Sequence, residues 1–457
     1  MIKIMKLPIS MGLFIIALFA SSVSFAAPKI QHWISDNGLA VYYVYVPELP
    51  MMDLRLTFDA GSARDGNKLG VAGLTTAMLD KGTATLNADQ IAEAFESVGA
   101  EFSAGSARDM AWISMRTLTL PEEQEKALKI WLDVIKNASF PTKDFDRLVK
   151  QALVGLEAEK QSPAAIASKA FYKNLYGDHP YAKPASGTEE TIKAMHIEDL
   201  KAHYSRYFVA KNGQLAIVGS IKKSDAEALA KRVAGVLSAG AKAAKIPAVK
   251  PLEKSKVVRI EFPSSQSHVM IGQPGTKRGD KDYYALYLGN HGLGGSGFTS
   301  RLMKEVRVKR GLSYSVYSYF ISMREQGPFL LGLQTKNSQV DEAVKVATDV
   351  VKNFQKDGPS EAELNASKTN ITGGFPLRTA SNDDIIGYIA MIGFYGLPLD
   401  YLDTFTTTIE KISRKEVMDA YTRRLHPDKF LTVIVGKKEA QVASEKKPEK
   451  ATADAPK

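Results

Sequence analysis

The sequence predicts an α+β chain built twice, with two homologous domains in tandem, each a mainly antiparallel sheet with helices packed on it. Three observations predict this. First, short stretches recur in the same order at an offset of 216 to 219 residues: Asp133-Val134-Ile135-Lys136-Asn137 as Asp349-Val350-Val351-Lys352-Asn353, and Tyr176-Gly177 as Tyr395-Gly396. Thr191-Ile192-Lys193 likewise recurs as Thr408-Ile409-Glu410, and Leu215-Ala216-Ile217-Val218-Gly219 as Thr432-Val433-Ile434-Val435-Gly436. Second, each copy mixes alternating β-branched segments with longer helical periods and shows no βαβ order. Third, an Ala/Lys/Pro/Gly stretch without amphipathic period separates the copies.

Taken from the start, residues 1–26 carry Lys3 and Lys6, an apolar run from Met11 to Ala20, and Ser24-Phe25-Ala26. This is the order of a secretory signal peptide cut after Ala26, and its apolar run is too short for a membrane span of about 20 residues. Periplasmic export without a stable membrane anchor is the expectation. The first copy, 28–237, has strand-like Leu39–Val46 and Leu54–Phe58. Asn87 and Gln90 form a capping-box signal for a helix to Val98. Leu120–Lys136 and Phe145–Glu159 have helical spacing with a broad apolar face. The linker spans 238–256. The second copy, 257–437, holds Gly289–Ser318, where a glycine-rich loop feeds a basic helical pattern, a turn at Gly311 and an alternating Tyr/Val strand. The Lys/Glu/Ala/Pro-rich tail, 438–457, has the composition of a disordered segment.

Composition excludes several functions. The chain has no cysteine, so stability in an oxidising compartment must come from core burial. A net charge of +10 is dispersed among acidic residues with no aromatic-studded basic run, which argues against nucleic acid. Gly292, Gly294 and Gly297 satisfy G-x-G-x-x-G, but the preceding Asp282–Leu288 is compatible with a helix, and a dinucleotide site needs a strand there. The seven histidines include no pair three or four apart, so no helical metal site is signalled. His196 and His203 flank a polar helix and read as a solvated face, and His179 before Pro180 reads as a turn residue. No Gly-x-Ser-x-Gly elbow is present.

The duplicated unit, the stretch from Gly70 to Thr83 and the run Ser300-Arg301-Leu302 through Arg307 to Tyr314 together resemble the pitrilysin, insulysin and mitochondrial-processing-peptidase family. The resemblance covers nearly the whole mature chain. It implies a bilobal chain forming half of a clamshell. In that family the first copy carries His-x-x-Glu-His on a helix, with two zinc ligands, a general base and a further Glu about 70 to 80 residues on. Aligned on that pattern, the ligand positions here are Gly73 and Ala77 and the base position is Thr76. The downstream position falls near Gly155, with Glu157 and Glu159 close by. A hydrogen, a methyl and a hydroxyl neither hold Zn²⁺ nor take a proton from its water, so no metal is expected in this chain and no catalysis by it alone.

The second copy keeps what the resemblance assigns to substrate handling. Arg307 and Tyr314 stand where the family places an Arg/Tyr pair that reaches the substrate backbone, an arrangement suited to a developing oxyanion. Taken without the resemblance, Arg307 reads as a surface ion pair with Glu305 and Tyr314 as a half-buried strand residue. Gly292, Gly294, Gly295 and Gly297 are expected to let a peptide approach the backbone closely. In the first copy the resemblance implies an edge strand near Ser103, Ala104 and Gly105 that pairs with substrate, and the residues alone read equally as one arm of an ordinary hairpin turning at Arg108-Asp109. The function expected is a non-catalytic, substrate-binding subunit of a periplasmic zinc metallopeptidase, paired with a paralogue that carries His-x-x-Glu-His and the zinc. The alternative is a non-enzymatic peptide-binding or scaffold protein of the same fold; a self-sufficient hydrolase with an unrecognised site is a weaker third.

Overall fold

The computed structural model describes residues 29–438, so the expected leader and the tail beyond Lys438 lie outside the described residues. In the first half, strands β1 (Gln31–Ile34), β2 (Ala40–Tyr45), β3 (Met51–Phe58), β4 (Glu101–Ser106), β5 (Ala111–Leu118) and β6 (Gly213–Gly219) form one sheet. Its order is β1-β2-β6-β3-β5-β4. In the second half, β7 (Lys256–Glu261), β8 (Gln266–Pro274), β9 (Val316–Phe320), β10 (Pro328–Lys336) and β11 (Leu431–Gly436) follow the order β7-β11-β8-β10-β9. Without β1, the two orders are the same topology. In each sheet one pair is parallel, β2 with β6 and β7 with β11, and the remaining pairs are antiparallel. The duplication seen in four short stretches of sequence is therefore a duplication of the sheet.

The helices of the first half are α1 (Val71–Met78), α2 (Ala88–Glu96), α3 (Pro121–Asn137), α4 (Thr142–Lys160), α5 (Pro163–Tyr176), α6 (Glu189–Lys193), α7 (Ile197–Tyr207) and α8 (Lys223–Val236). Those of the second are α9 (Tyr283–Asn290), α10 (Val340–Asp357), α11 (Glu361–Gly374), α12 (Asn382–Tyr395), α13 (Tyr401–Lys411) and α14 (Arg414–Arg424). Local sequence accounts for their starts. Asn87 accepts from the Gln90 amide at 2.9 Å while the Gln90 side chain accepts from the Asn87 amide at 3.0 Å. Helix α3 buries Leu128, Trp131, Val134 and Ile135 against its own sheet, the face its periodicity predicted.

Two helices cross between the halves. Helix α5 packs on β8 and β11 of the second sheet, where Ala167, Phe171 and Leu175 share a core with Leu431, Val433 and Val435. Helix α12 packs on β3 and β6 of the first sheet, and its Ile386 and Ile389 share a core with Val44, Ala216 and Val218. These two helices end on the repeated Tyr-Gly pairs, Gly177 and Gly396 having φ of 56° and 66°, a backbone that glycine adopts without a Cβ penalty. Each repeat thus supplies a layer of the other.

A buried carboxylate sits where the crossing helices end. Asp109, at the β4–β5 turn and only 3 % exposed, accepts from the Tyr181 hydroxyl at 2.6 Å, the Tyr395 hydroxyl at 2.9 Å and the Arg324 amide at 2.7 Å. The Tyr181 oxygen in turn accepts from the Glu325 amide at 3.1 Å, and the Tyr176 hydroxyl donates to the Gln326 carbonyl at 3.0 Å. The linker is held as well. Arg64 donates to the Ala244 carbonyl at 2.6 Å, the Ala243 amide donates to Asn212 at 2.8 Å, and Ile246 is buried. His179 is a turn residue, accepting from the Tyr181 amide at 3.1 Å while its other nitrogen meets the Pro247 carbonyl at 2.8 Å. His203 corrects its expectation of a solvated face. It is buried on α7 with Nε2 3.1 Å from the Ala60 carbonyl, and burial pushes its pKa down to about 4.

Asp109→Ala leaves two hydroxyls and an amide without their acceptor at the junction of the halves. At about 1–3 kcal/mol for each unmade buried bond, it is expected to lower the urea midpoint far more than Tyr395→Phe, which removes one donor together with its need. Equal midpoints for the two variants would place the junction's stability elsewhere.

Candidate functional site

The glycine-rich stretch is not the loop its composition predicts. Helix α9 runs on through His291–Gly295 as a wide helical turn, bends at Ser296 and continues into a tight helical turn over Gly297–Thr299. A helix rather than a strand therefore precedes the glycines, as the rejection of a dinucleotide site requires. The cause of the helical continuation is packing against β9. Asn290 donates to the Ser318 carbonyl and accepts from the Ser318 hydroxyl, both at 2.7 Å. A Cβ on Gly294 would stand 2.3 Å from Ser318 Oγ and 2.7 Å from Leu302 Cδ1, so Gly294 is a close-packing glycine and not open backbone. Gly295 is tight against Asn290 at 3.1 Å, Gly292 has room, and Gly297, with φ 61°, meets nothing. His291 is fixed between Ser367 and Asn370 at 3.0 Å each, and burial lowers its pKa.

The next segment carries Arg307. Ser300 is fully buried and accepts from the Met303 amide at 3.4 Å. Arg301 clamps the Glu363 carboxylate at 3.0 and 2.6 Å and also donates to the Gly358 carbonyl at 2.7 Å. Those bonds hold the Glu363 carboxyl at about 2, well below its ordinary 4.5. Glu305, the expected surface partner of Arg307, is instead taken by Lys309 at 2.6 Å and Arg310 at 2.7 Å. Arg307 has no ion pair among the described residues. It donates to the Tyr314 carbonyl at 3.0 Å and lies 4.9 Å from the Phe298 ring centroid. The Tyr314 side chain is 77 % exposed and Phe298 70 % exposed. The structure thus brings Arg307 and Tyr314 together through the backbone, and the tyrosine is not the half-buried strand residue of the simpler reading. Phe298 was missed in the sequence; its signal was a lone aromatic inside a glycine-rich run.

In the first half, α1 carries the positions of the missing zinc motif. Buried Asp65 caps that helix, accepting from the Gly70 amide at 2.7 Å and the Ala72 amide at 3.2 Å, and burial outweighs those bonds to raise its pKa to about 7. The Thr76 hydroxyl donates to the Ala72 and Gly73 carbonyls at 3.2 and 3.0 Å, which occupies its one proton within its own helix. A Cβ on Gly73 would meet only Ser106 Oγ, at 3.9 Å, so no crowding requires glycine there. Downstream, Gly155 faces open space, Glu157 pairs with Lys160 at 2.8 Å, and Glu159 is bound by Lys169. Among the described residues no three His, Asp or Glu side chains cluster as a metal site. Gly73, Thr76 and Ala77 offer no donor set for zinc, so the residues present do not fit the metal.

Beside α1, β4 is the edge of the first sheet, bonded only to β5, and it is also one arm of the hairpin that turns at Arg108-Asp109. Ser103, Ala104 and Gly105 lie on it. The turn is more than ordinary, since Asp109 is the junction described above and Arg108 stacks 3.8 Å over the Tyr172 ring.

The model of the insulinase family, peptidase family M16, matches residues 41–189, and that of the peptidase M16 inactive domain matches residues 194–371. A crystal structure of a peptidase M16 inactive domain from Pseudomonas fluorescens superposes with a TM-score of 0.87 and 42 % identity, covering 90 % of this chain and 98 % of that one. The chain belongs to the M16 peptidase family. This M16 chain is also 27 % identical over 390 residues to the non-peptidase homolog YmxG of Helicobacter pylori, across 84 % of its own length and 89 % of that protein's. It is 24 % identical over 355 residues to the uncharacterized zinc protease YmxG of Bacillus subtilis, covering 78 % and 85 % of the two chains. A protease from Helicobacter pylori, at 19 % identity, shares the fold with a TM-score of 0.82 over 89 % of this chain and 99 % of that one. The second half matches a domain described as inactive, and the first half has no zinc donor at Gly73, Thr76 or Ala77.

Glu363 gives a pH dependence with a definite sign. Its folded pKa is depressed, so its stabilisation is complete above about 4.5 and is lost as pH falls toward about 2. The difference in thermal midpoint between the native chain and Glu363→Gln is expected to be constant above that window and to vanish within it. A difference that persists unchanged at the acid end would show that the clamp on Arg301 does not depend on the charge.

Proposed function

We propose that this chain is the non-catalytic, substrate-binding subunit of a heteromeric zinc metallopeptidase that cleaves peptides in the periplasm. Its partner is a paralogue with His-x-x-Glu-His, and the two bilobal chains close around an unfolded peptide as a clamshell. One observation carries the reading: among the described residues the first half gathers no metal-binding cluster and has no donor at Gly73, Thr76 or Ala77, while the second presents a guanidinium, Arg307, with no ion pair beside an exposed Tyr314. The nearby carboxylate, Glu305, is already taken by Lys309 and Arg310. Arg307 instead stacks on Phe298 and keeps donors free.

In this reading the partner, not this chain, would hold the metal and supply the activated water. Arg307 and the Tyr314 hydroxyl donate to the carbonyl oxygen of the scissile peptide, where negative charge grows in the transition state. Edge strand β4 offers Ser103, Ala104 and Gly105 for pairing with the extended substrate, and Gly297, beside the Phe298 that Arg307 stacks on, meets no neighbouring atom. The lysine-flanked apolar leader supports export, and among the described residues no helix is long and apolar enough to cross a membrane.

The purified chain is expected to carry no stoichiometric zinc by elemental analysis and to restore peptide cleavage when mixed with the paralogue. Arg307→Ala is expected to lower kcat of the mixture by on the order of 10²-fold while the two chains still co-elute on size exclusion. Unchanged turnover returns Arg307 to the surface, and a mixture with no activity favours a peptide-binding scaffold.

A further inference from the structure

Arg55 stands in the middle of β3, facing Ser114 of β5, which faces Ser103 of edge strand β4. Residues opposed across antiparallel strands share a sheet face, so these three form a row. On one side of it runs Asp53, Arg116 and Glu101; on the other, Thr57, Trp112 and Gly105. In the first neighbouring row Arg116 bonds Asp53 at 2.8 Å, and Glu101 leaves that row with one negative charge in excess. The middle row holds no carboxylate. Arg55 has no ion pair among the described residues, and its Nε is buried without a hydrogen-bond partner. Asp383, at the start of α12, acts on it only through its field and is itself 3.9 Å from Arg116. Burial presses against the charge of Arg55, but a guanidinium stays protonated at any physiological pH.

The geometry aims this cation at the edge strand. Its Cζ lies 4.8 Å from the centre of the Trp112 ring. That ring reaches across to β4, where a Cβ on Gly105 would be 2.6 Å from Trp112 Cζ2, so glycine is what lets the indole lie over the edge strand. Stacked on the indole, the guanidinium is carried away from β3 toward β4. A peptide added to β4 would run about 5 Å beyond it, within reach of an acidic side chain. Ser103 and Ser114 supply hydroxyl donors alongside.

We propose that Arg55, floored by Trp112 and flanked by Ser114 and Ser103, is a carboxylate-binding site that selects peptides presenting an acidic side chain or a C-terminal carboxylate beside β4. This rests on the reading of β4 as the strand that receives a peptide. A planar guanidinium recognises a carboxylate by two parallel bonds, which neither an amide nor a hydroxyl reproduces.

The test uses the full chain and fluorescein-labelled extended peptides of one sequence: a central glutamate with blocked ends, its glutamine twin with blocked ends, and the glutamine twin with a free C-terminal carboxylate. Anisotropy is expected to show the glutamate peptide, the free-carboxylate peptide or both bound about 10-fold tighter than the blocked glutamine peptide. Which of them gains names the source of the carboxylate. Arg55→Met is expected to abolish the gain. Because that variant alters a largely buried strand, Ser114→Asp serves as the second: it places an acid opposite Arg55 and is expected to erase the difference between the glutamate and glutamine peptides, with a circular dichroism spectrum that matches the native chain. Equal binding of all three peptides to the native chain overturns the site and leaves β4 as a peptide-binding edge. Binding of none overturns both. A gain that survives in Arg55→Met also overturns the site.

Discussion

The exchange of α5 and α12 is the constraint on which the rest of the chain depends. Each sheet has one face covered by helices of its own repeat and part of the other covered by a helix of the opposite repeat. Neither repeat can therefore complete its core alone, and the apolar residues of α12, with Ile386 and Ile389 buried, would be exposed if its partner were absent. The Asp109 cluster stands at the ends of the crossing helices and converts a nonspecific apolar contact into one geometry, because three donors from separate segments must converge on one carboxylate. The fixed relation between halves is what places β4 and the Arg307 segment on one rigid body.

Within that body the same contact recurs in two forms. In the second half Gly294 lets the wide helical turn press on Ser318, and Asn290 ties the two together. The segment after it is then clamped by Arg301 on Glu363. The outcome is a rigid stem that displays Arg307, Tyr314 and Phe298 at its tip, where charge and aromatic surface face outward. Preorganised donors of this kind act on a developing charge without having to reorient, which is what the role proposed for Arg307 and Tyr314 requires.

Much of the fold was legible in the sequence. The repeated Tyr-Gly pairs and the Leu215–Gly219 and Thr432–Gly436 strands exposed the duplication, and the periodicities of α3 and α4 and the capping box at Asn87 gave elements within a few residues. The helix exchange was not legible, since apolar periodicity shows that a face is buried but not against which sheet. The glycine-rich turn misled because glycine serves both flexible loops and close packing, and only the position of Ser318 separates the two. His203 misled for a similar reason: its polar neighbours on α7 lie on the other faces of the helix, while its own nitrogen finds the Ala60 carbonyl inside. At the site, the missing donors were readable residue by residue. The freedom of Arg307 was not, because it depends on Lys309 and Arg310 both choosing Glu305.

Gly73 and Gly294 show how two glycines of similar appearance carry different histories of constraint. At Gly294 any side chain collides with a neighbouring strand, so the fold itself demands glycine. At Gly73 the nearest atom to an added Cβ is a serine oxygen at van der Waals distance, and the fold tolerates a larger residue there. The empty metal position is therefore not a structural repair, and nothing in the packing of α1 substitutes for an ion. Its helix is instead held from outside, by Asp65 on the amides of its first turn and by contacts with β4 and α7. A helix secured by capping and packing keeps its place without a metal, so the absence of zinc donors leaves the edge strand beside it intact. Chemistry and shape are separable in this half of the molecule, which is the condition a substrate-binding subunit has to meet.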